Sequence, residues 1–199
     1  AENSYPRMVA DALFAEYRVV SQSGWGIVTS WDGLAENRIP PFYTQVCGLL
    51  TGERNASLGA LEDYDFTAWK PDAVIINLGT NDVTAIQSAA ELGQEWAGLS
   101  DESEIAEALT KGIHEFLLTV RQCNPTAQIV WCYGMLGSHL LSVICEAVEN
   151  YARQTRDSRI HFLQLPDTTE DTVGSRMHPG RKAHIISAKV LQTCLKELL

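Results

Sequence analysis

Basic residues are scarce in this sequence. Only 15 of the 199 residues are Lys or Arg, against 25 Asp and Glu, and the formal net charge is −10. Proteins that bind nucleic acid neutralise phosphates with clustered Lys and Arg, so this balance argues against a nucleic-acid partner. The sequence also lacks an apolar run long enough to cross a bilayer, and it does not open on a signal peptide. We therefore expect no membrane partner.

Paired cysteines are missing as well. The five cysteines lie scattered along the chain, without the spacing of a zinc site or a disulfide framework: Cys47, Cys123, Cys132, Cys145 and Cys194. Several lie in apolar runs, where a free thiol behaves as a small hydrophobic group. We expect no metal and no organic cofactor. Reduced cysteines favour a cytoplasmic location, unless an upstream signal has been removed.

The most informative stretch covers residues 71–84, which read PDAVIINLGTNDVT. Its β-branched run is apolar on both faces, as in a central strand of a parallel sheet covered by helices. Gly79 then allows a sharp turn at the carboxyl end of the strand, where open α/β sheets bind ligands. There the Asn81 amide suits an oxyanion hole, in which one donor contributes about 3 kcal/mol. Equally, Asn81 and Asp82 suit the cap of a following helix, and the stretch alone leaves both interpretations open.

Helical and strand patterns alternate along the whole chain. Helical spacing or composition predicts helices at residues 4–17, 42–50, 104–123 and 140–154, with a last one opened by His178-Pro179-Gly180 and running to Leu198. Strand patterns occupy residues 17–21, the central run, and residues 128–133 and 159–165. This alternation predicts a single α/β domain over residues 1–199, with a parallel sheet between two helix layers.

Three polar features follow separate strands of that sheet. Gly24 follows the first, Asn81 the next, and His178 the last. A glycine N–H together with an Asn amide makes an anion-binding pair. A histidine facing the pair suits a general base, so the combination predicts acyl transfer.

These residues resemble the blocks of the SGNH (GDSL-type) hydrolase superfamily. Ser23-Gly24 is similar to the second block, Gly79-Thr80-Asn81-Asp82 to the third, and Met177-His178-Pro179 to the last. The stretch at residues 20–27 (VSQSGWGI) and the absence of an acid before His178 look most like carbohydrate esterase family two. The resemblance implies a three-layer, flavodoxin-like fold with a mostly parallel five-stranded sheet. It also implies a serine esterase that removes O-acetyl groups from xylan, mannan or related sugars.

The sequence departs from the superfamily pattern three residues before His178. The superfamily usually carries Asp there to orient the histidine ring, whereas this chain has Ser175. Some members of the carbohydrate esterase family use a Ser–His dyad, with a backbone carbonyl orienting the ring. We favour this interpretation, and Asp167 and Asp171 remain alternatives in the same loop.

The first block, Gly-Asp-Ser, is absent from the sequence. In the family it carries the nucleophile and ends the first, central strand. Without that strand two edges in the core would stay unpaired, and each buried orphan amide costs about 1–3 kcal/mol. We expect the strand and its serine to lie upstream of Ala1 or on a separate segment, with an accessory domain possible beyond it. Ser4 is better explained as a helix cap, and Ser23 and Ser30 as turn residues.

Five residues are candidates for contact with the carbohydrate: Trp25, Trp31, Tyr133, Met135 and Arg176. For the two tryptophans, packing in the core is the competing interpretation. Two other functions stay open: hydrolysis of another ester, as in a lysophospholipase or thioesterase, and carbohydrate binding without cleavage. The remaining histidines have no ligand spacing, and we expect His184 to be structural.

Overall fold

Three parallel strands form the sheet of this protein. The computed structural model describes residues 3–199. The strands are β1 (Ala73–Ile76), β2 (Gln128–Tyr133) and β3 (Ile160–Gln164), in the order β1-β2-β3. Val74 is paired with Ile129 and Trp131 with Phe162. Among the described residues β1 is therefore an edge strand with β2 as its single neighbour, although its sequence is that of a central one.

Six helices surround the sheet in the described part of the chain: α1 (Tyr5–Leu13), α2 (Glu53–Ser57), α3 (Thr80–Glu91), α4 (Glu102–Cys123), α5 (Leu141–Thr155) and α6 (Arg181–Leu198). Helices α4 and α5 pack on one face of the sheet, and α1 and α6 pack on the other. Strand β2 shows why both faces are covered. Its residues Ile129, Trp131 and Tyr133 enter the first core, whereas Val130 and Cys132 enter the second. The prediction of a layered α/β fold with a parallel sheet is confirmed.

Most of the predicted elements after residue 70 are present. Strands β1, β2 and β3 and helices α4, α5 and α6 all lie where the sequence places them, within a few residues at each end. Helix α6 begins at Arg181, three residues after the predicted start at His178. Pro179 instead forms an antiparallel bridge with Val173, so the chain stays extended up to Gly180. No helix in residues 3–199 combines the length and apolarity that a membrane span requires.

The part of the chain that precedes β2 differs from the prediction in three places. Residues 17–21 form no strand, and Val19 and Val20 are 60% and 54% exposed. An extended β-branched segment needs a neighbouring strand to bond with, and no described strand lies beside it. Residues 42–50 form no α-helix; a single 3₁₀ turn at Pro40–Phe42 ends there. The aromatic rings hold the segment through contacts with separate parts of the chain, Phe42 with Trp25 and Tyr43 with Phe116. Helix α3 was not predicted, because its sequence is mostly polar.

Candidate active site

A buried carboxylate joins the two glycine-containing loops at the carboxyl end of β1. Asp82, which is fully buried, accepts hydrogen bonds from the backbone N–H groups of Ile27 and Val28, both at 2.8 Å, and of Thr29 at 3.1 Å. A Cβ at Gly26 would lie 2.2 Å from Asp82 Oδ2, so only glycine permits this approach. Burial raises the pKa of Asp82, and the three N–H groups oppose that rise.

Asn81 lies in the first turn of α3 and faces the same loop. Its Nδ2 donates to the carbonyl of Trp25 at 2.9 Å, which places the amide beside the residue that follows Gly24. A carboxamide nitrogen carries two N–H groups, and this bond uses one. The Gly24 N–H donates to no other described residue. The structure thus brings together the loops of two residues that the sequence singles out, Gly24 and Asn81.

The turn that presents Asn81 depends on glycine. Gly79 is the N-cap of α3 with φ of +119°, and a Cβ there would lie 2.7 Å from Ile144 Cδ1 and 3.2 Å from the Tyr133 ring. Gly79 rather than Asn81 or Asp82 is the N-cap of α3, and the side chains of Asn81 and Asp82 bond to residues 25–29. Tyr133 is only 1% exposed. We therefore correct the prediction that Tyr133 contacts the substrate. Its ring packs in the core against the Gly79 turn.

His178 lies in the loop between β3 and α6, and its ring is held by the backbone. Its Nδ1 is 2.8 Å from the carbonyl oxygen of Arg176. If that carbonyl is to accept a hydrogen bond, Nδ1 must carry the proton, which leaves Nε2 unprotonated. His178 is exposed to solvent. Asp167, an alternative orienting acid, instead accepts from the Gly137 N–H at 3.0 Å.

The backbone that supplies this carbonyl is strained. Arg176 and Met177 have φ of 53° and 61°, in the left-handed region that costs a non-glycine residue about 1–2 kcal/mol. Hydrogen bonds close the loop around them: Gly174 N to His178 O at 2.7 Å, and Gly180 N to Thr172 O at 2.8 Å. Strain of this kind persists only where the surroundings fix it, and it is common at functional sites.

Helix α6, which follows His178, is tied to the end of β1 through Tyr5. The Tyr5 N–H donates to Nδ1 of His184 at 3.3 Å, and the Tyr5 hydroxyl accepts from Nδ2 of Asn77 at 2.9 Å. Asn77 directly follows β1. Burial raises the pKa of Tyr5 to about 12 and lowers the pKa of His184. The predicted structural role of His184 agrees with these contacts.

The candidate carbohydrate contacts lie in different environments. Trp25 is half-buried against Phe42, with 5.0 Å between ring centroids, whereas Trp31 is 56% exposed. Trp31 also packs against Gly24, since a Cβ there would lie 2.6 Å from its Cδ1. Met135 is 4% exposed and lines a cavity together with Met177. The side chain of Arg176 is exposed, although its carbonyl makes the contact described above.

Asp82 is the residue that the sequence reasoning missed as part of this site. The available signal was its place in Gly79-Thr80-Asn81-Asp82, the stretch that resembles the third block of the superfamily. Metal chemistry has no evident site: in residues 3–199 no group of three His, Cys, Asp or Glu side chains is placed to bind an ion. All five cysteines are free thiols.

The chain belongs to the GDSL-like lipase/acylhydrolase family, whose model matches residues 1–191. The structural neighbours narrow the resemblance to carbohydrate esterase family two. An acetyl xylan esterase from the rumen bacterium Butyrivibrio proteoclasticus has a TM-score of 0.89 and 41% identity, over 99% of this chain and 55% of that one. A family two carbohydrate esterase from Cellvibrio japonicus gives 0.74 and 24%, over 100% and 52%.

A curated relative from Cellvibrio japonicus (strain Ueda107) is named acetylxylan esterase / glucomannan deacetylase. It is 23% identical over 201 residues, which cover 100% of this chain and 49% of the relative. The chain therefore spans about half the length of these relatives. The predicted resemblance to SGNH hydrolases and to carbohydrate esterase family two is confirmed.

Proposed function

We propose that this chain is the catalytic domain of a serine esterase that removes O-acetyl groups from carbohydrate, such as acetylated xylan or mannan. The observation that carries the proposal is the contact between His178 Nδ1 and the Arg176 carbonyl at 2.8 Å. It holds the ring in the tautomer that a general base requires, without the acid that Ser175 replaces. The names of the relatives support acetyl esters as the substrate class.

The nucleophile in this proposal is a serine on a strand outside residues 1–199. The free edge of β1 supports this placement, because it offers unpaired backbone groups to a further strand. The start of α1 supports it too, since the Tyr5–Asn77 bond places that start at the carboxyl end of β1. A strand leading into α1 and parallel to β1 would end beside Asn77, at the end of the sheet that carries Asn81.

The reaction then proceeds by two acyl transfers. The serine oxygen attacks the acetyl carbonyl while Nε2 of His178 takes its proton, and His178 returns this proton to the departing sugar oxygen. Water, activated by the same histidine, releases acetate from the serine. The Gly24 N–H and the second N–H of Asn81 Nδ2 stabilise the negative oxygen in both steps. The exposed indole of Trp31, packed on Gly24, suits stacking on a sugar ring.

The proposal is tested on the full-length protein by acetate release from acetylated xylan. We expect His178→Ala to lower kcat by about 10²–10⁴-fold, the usual contribution of a general base. The matched control is His161→Gln, because His161 lies on β3 and its ring bonds to Gln128 at 3.0 Å, at the start of β2. Retained hydrolysis in His178→Ala, or equal losses in both variants, would overturn the assignment of the base.

A sulfonyl fluoride probe separates the enzyme from its alternatives. Covalent labelling of a serine upstream of Ala1 supports the esterase, whereas binding of oligosaccharide without labelling or turnover supports a non-catalytic binding domain. Faster hydrolysis of long-chain acyl esters than of acetylated xylan would support a lysophospholipase or thioesterase.

A further inference from the structure

A cavity of about 440 Å³ lies where β2 and β3 end. Its apolar walls are formed by Met135 and Leu136, which follow β2, and by Val173 and Met177. The latter two belong to the loop that carries His178. A molecule in this cavity would therefore touch the backbone that positions the proposed base.

The polar groups of the cavity are acceptors and hydroxyls. Asp167, Thr168 and Glu170 line it, and no Lys, Arg or His is among the described residues that do so. Asp167 is fixed by the Gly137 N–H, and the Glu170 side chain is exposed. Carboxylates accept hydrogen bonds from hydroxyl groups and repel other anions, so the lining favours neutral polyols.

Thr168 supplies a second, independent observation. Its Oγ1 is buried and has no hydrogen-bond partner in residues 3–199, although its backbone N–H donates to the Met135 carbonyl at 3.2 Å. A buried hydroxyl without a partner costs about 1–3 kcal/mol. A ligand hydroxyl that entered the cavity would remove this cost once the threonine side chain turned toward it.

We propose that this cavity binds a neutral pyranose ring of the carbohydrate and selects against rings that carry a carboxylate. The apolar walls pack against the C–H face of the sugar, Thr168 bonds to one of its hydroxyls, and the charges of Asp167 and Glu170 weaken the binding of uronic acids. The inference rests on the proposed function for its substrate class. It adds a specificity site on the β2–β3 side of His178, separate from Trp31 and Gly24.

Binding to the full-length protein tests this site without depending on turnover. Isothermal titration would use xylotriose and a xylotriose that carries one glucuronic acid. We expect the wild-type protein to bind the neutral sugar more tightly. Thr168→Val should weaken xylotriose binding by about fivefold, since one neutral hydrogen bond is lost. Thr126→Val is the matched control, because Thr126 lies in the loop that precedes β2, at the opposite end of the sheet.

Charge selection is tested by Glu170→Lys. It should shift the ratio of the two affinities toward the acidic sugar by about threefold, the size of an exposed charge pair. Glu107→Lys, on the exposed face of α4, makes the same change in net charge elsewhere. Unchanged xylotriose binding in Thr168→Val, or equal shifts in the two lysine variants, would overturn the proposal. If the wild-type protein released no acetate, that result would count against the esterase function. The binding results would still test the proposed sugar site.

Discussion

The two ends of the sheet are built in opposite ways. At the amino ends of β2 and β3, the Arg121 side chain bonds to Asp157 at 2.6 Å and to the carbonyls of Asn124 and Ala127 at 2.9 and 2.8 Å. Both members of this ion pair are about 15% exposed. These bonds join α4 to the residues that precede β2 and β3, so we expect them to stabilise that end of the sheet.

At the carboxyl ends the backbone is strained and polar groups are left available. Three non-glycine residues there have positive φ, namely Met135 after β2 and Arg176 and Met177 in the loop after β3, whereas at the amino ends only Arg156 among the described residues does. The Gly24 N–H, the exposed His178 ring and the Thr168 hydroxyl have capacity to bond to a ligand. The comparison suggests that the amino end contributes stability that the carboxyl end lacks.

Arg121→Ala should give the largest loss of stability. Removing one partner of a mostly buried ion pair costs about 3–5 kcal/mol, and three backbone carbonyls also lose donors. We expect the free energy of unfolding to fall by that amount, measured in urea, while kcat at permissive temperature changes little. Arg153→Ala, on the exposed surface of α5, is the control. A large fall in kcat with intact stability would contradict the division between the two ends.

Apart from His178→Ala, Asn81→Ala should give the largest loss of turnover. One oxyanion donor contributes about 10²–10³-fold to kcat, and the bond to the Trp25 carbonyl is lost as well. Acetate release measures the effect, with Gln87→Ala, an exposed change on the same helix, as control. If KM rose while kcat stayed constant, Asn81 would be a ground-state contact rather than an oxyanion donor.

Asp82→Asn should affect stability and turnover together. An amide in place of the carboxylate sets N–H groups against the N–H groups of residues 27–29, which costs about 1–3 kcal/mol. The Gly24 loop then loses its anchor, so kcat should fall too. Thermal unfolding and acetate release are compared with the exposed Asp72→Asn. Lower stability with full activity would show that Asp82 does not position the Gly24 loop.

Met177→Gly should separate stability from activity. Glycine relieves left-handed strain of about 1–2 kcal/mol but loses about 0.5–1 kcal/mol of unfolding free energy through chain entropy. We expect the free energy of unfolding to rise by no more than about 1.5 kcal/mol and kcat to fall several-fold, because the Arg176 carbonyl is held less firmly. Urea unfolding and acetate release test this, and equal or higher kcat would mean that the strain has no role in orienting His178.

His184→Gln should produce the smallest effect, on the pH dependence of stability. Because burial lowers the pKa of His184, the unfolded chain binds its proton more readily. Its contribution to stability is therefore present above the ordinary histidine pKa and is lost as the pH falls through the folded pKa. The fall in Tm between pH 8 and pH 5 should be smaller in the variant. An unchanged difference would show that His184 does not titrate on folding.

The sequence predicts those elements of the fold whose side chains alone determine whether they are buried. The runs that became β1 and β2 and the periodic residues of α4 specify burial, and burial specifies the layers. The predicted strand at residues 17–21 was wrong because a strand also needs a neighbouring strand to bond with, and no local sequence pattern reveals whether one is present. Helix α3 was missed because its core contacts are few and small.

The candidate site divides in the same way. Asn81 follows β1 and His178 lies in the loop after β3, and parallel strands present their carboxyl ends at one edge of the sheet, so the placement of these two residues at that edge was predictable. Gly24 follows no described strand, and only the bond from Asn81 to the Trp25 carbonyl brings its loop there. The carbonyl of Arg176 and the left-handed backbone at Met177 are properties of the main chain, which residue types barely mark. Tyr133 was assigned to the substrate because it ends a strand, but its side chain points into the core.

The most direct test is a crystal structure of the full-length protein after reaction with a methylphosphonate ester that mimics the tetrahedral intermediate. The proposed mechanism predicts a phosphonyl serine on a strand paired with β1, with one phosphonyl oxygen about 2.7–3.1 Å from both Gly24 N and Asn81 Nδ2. His178 Nε2 should face the serine oxygen. An adduct on a different residue, or an oxygen bonded to neither donor, would contradict it.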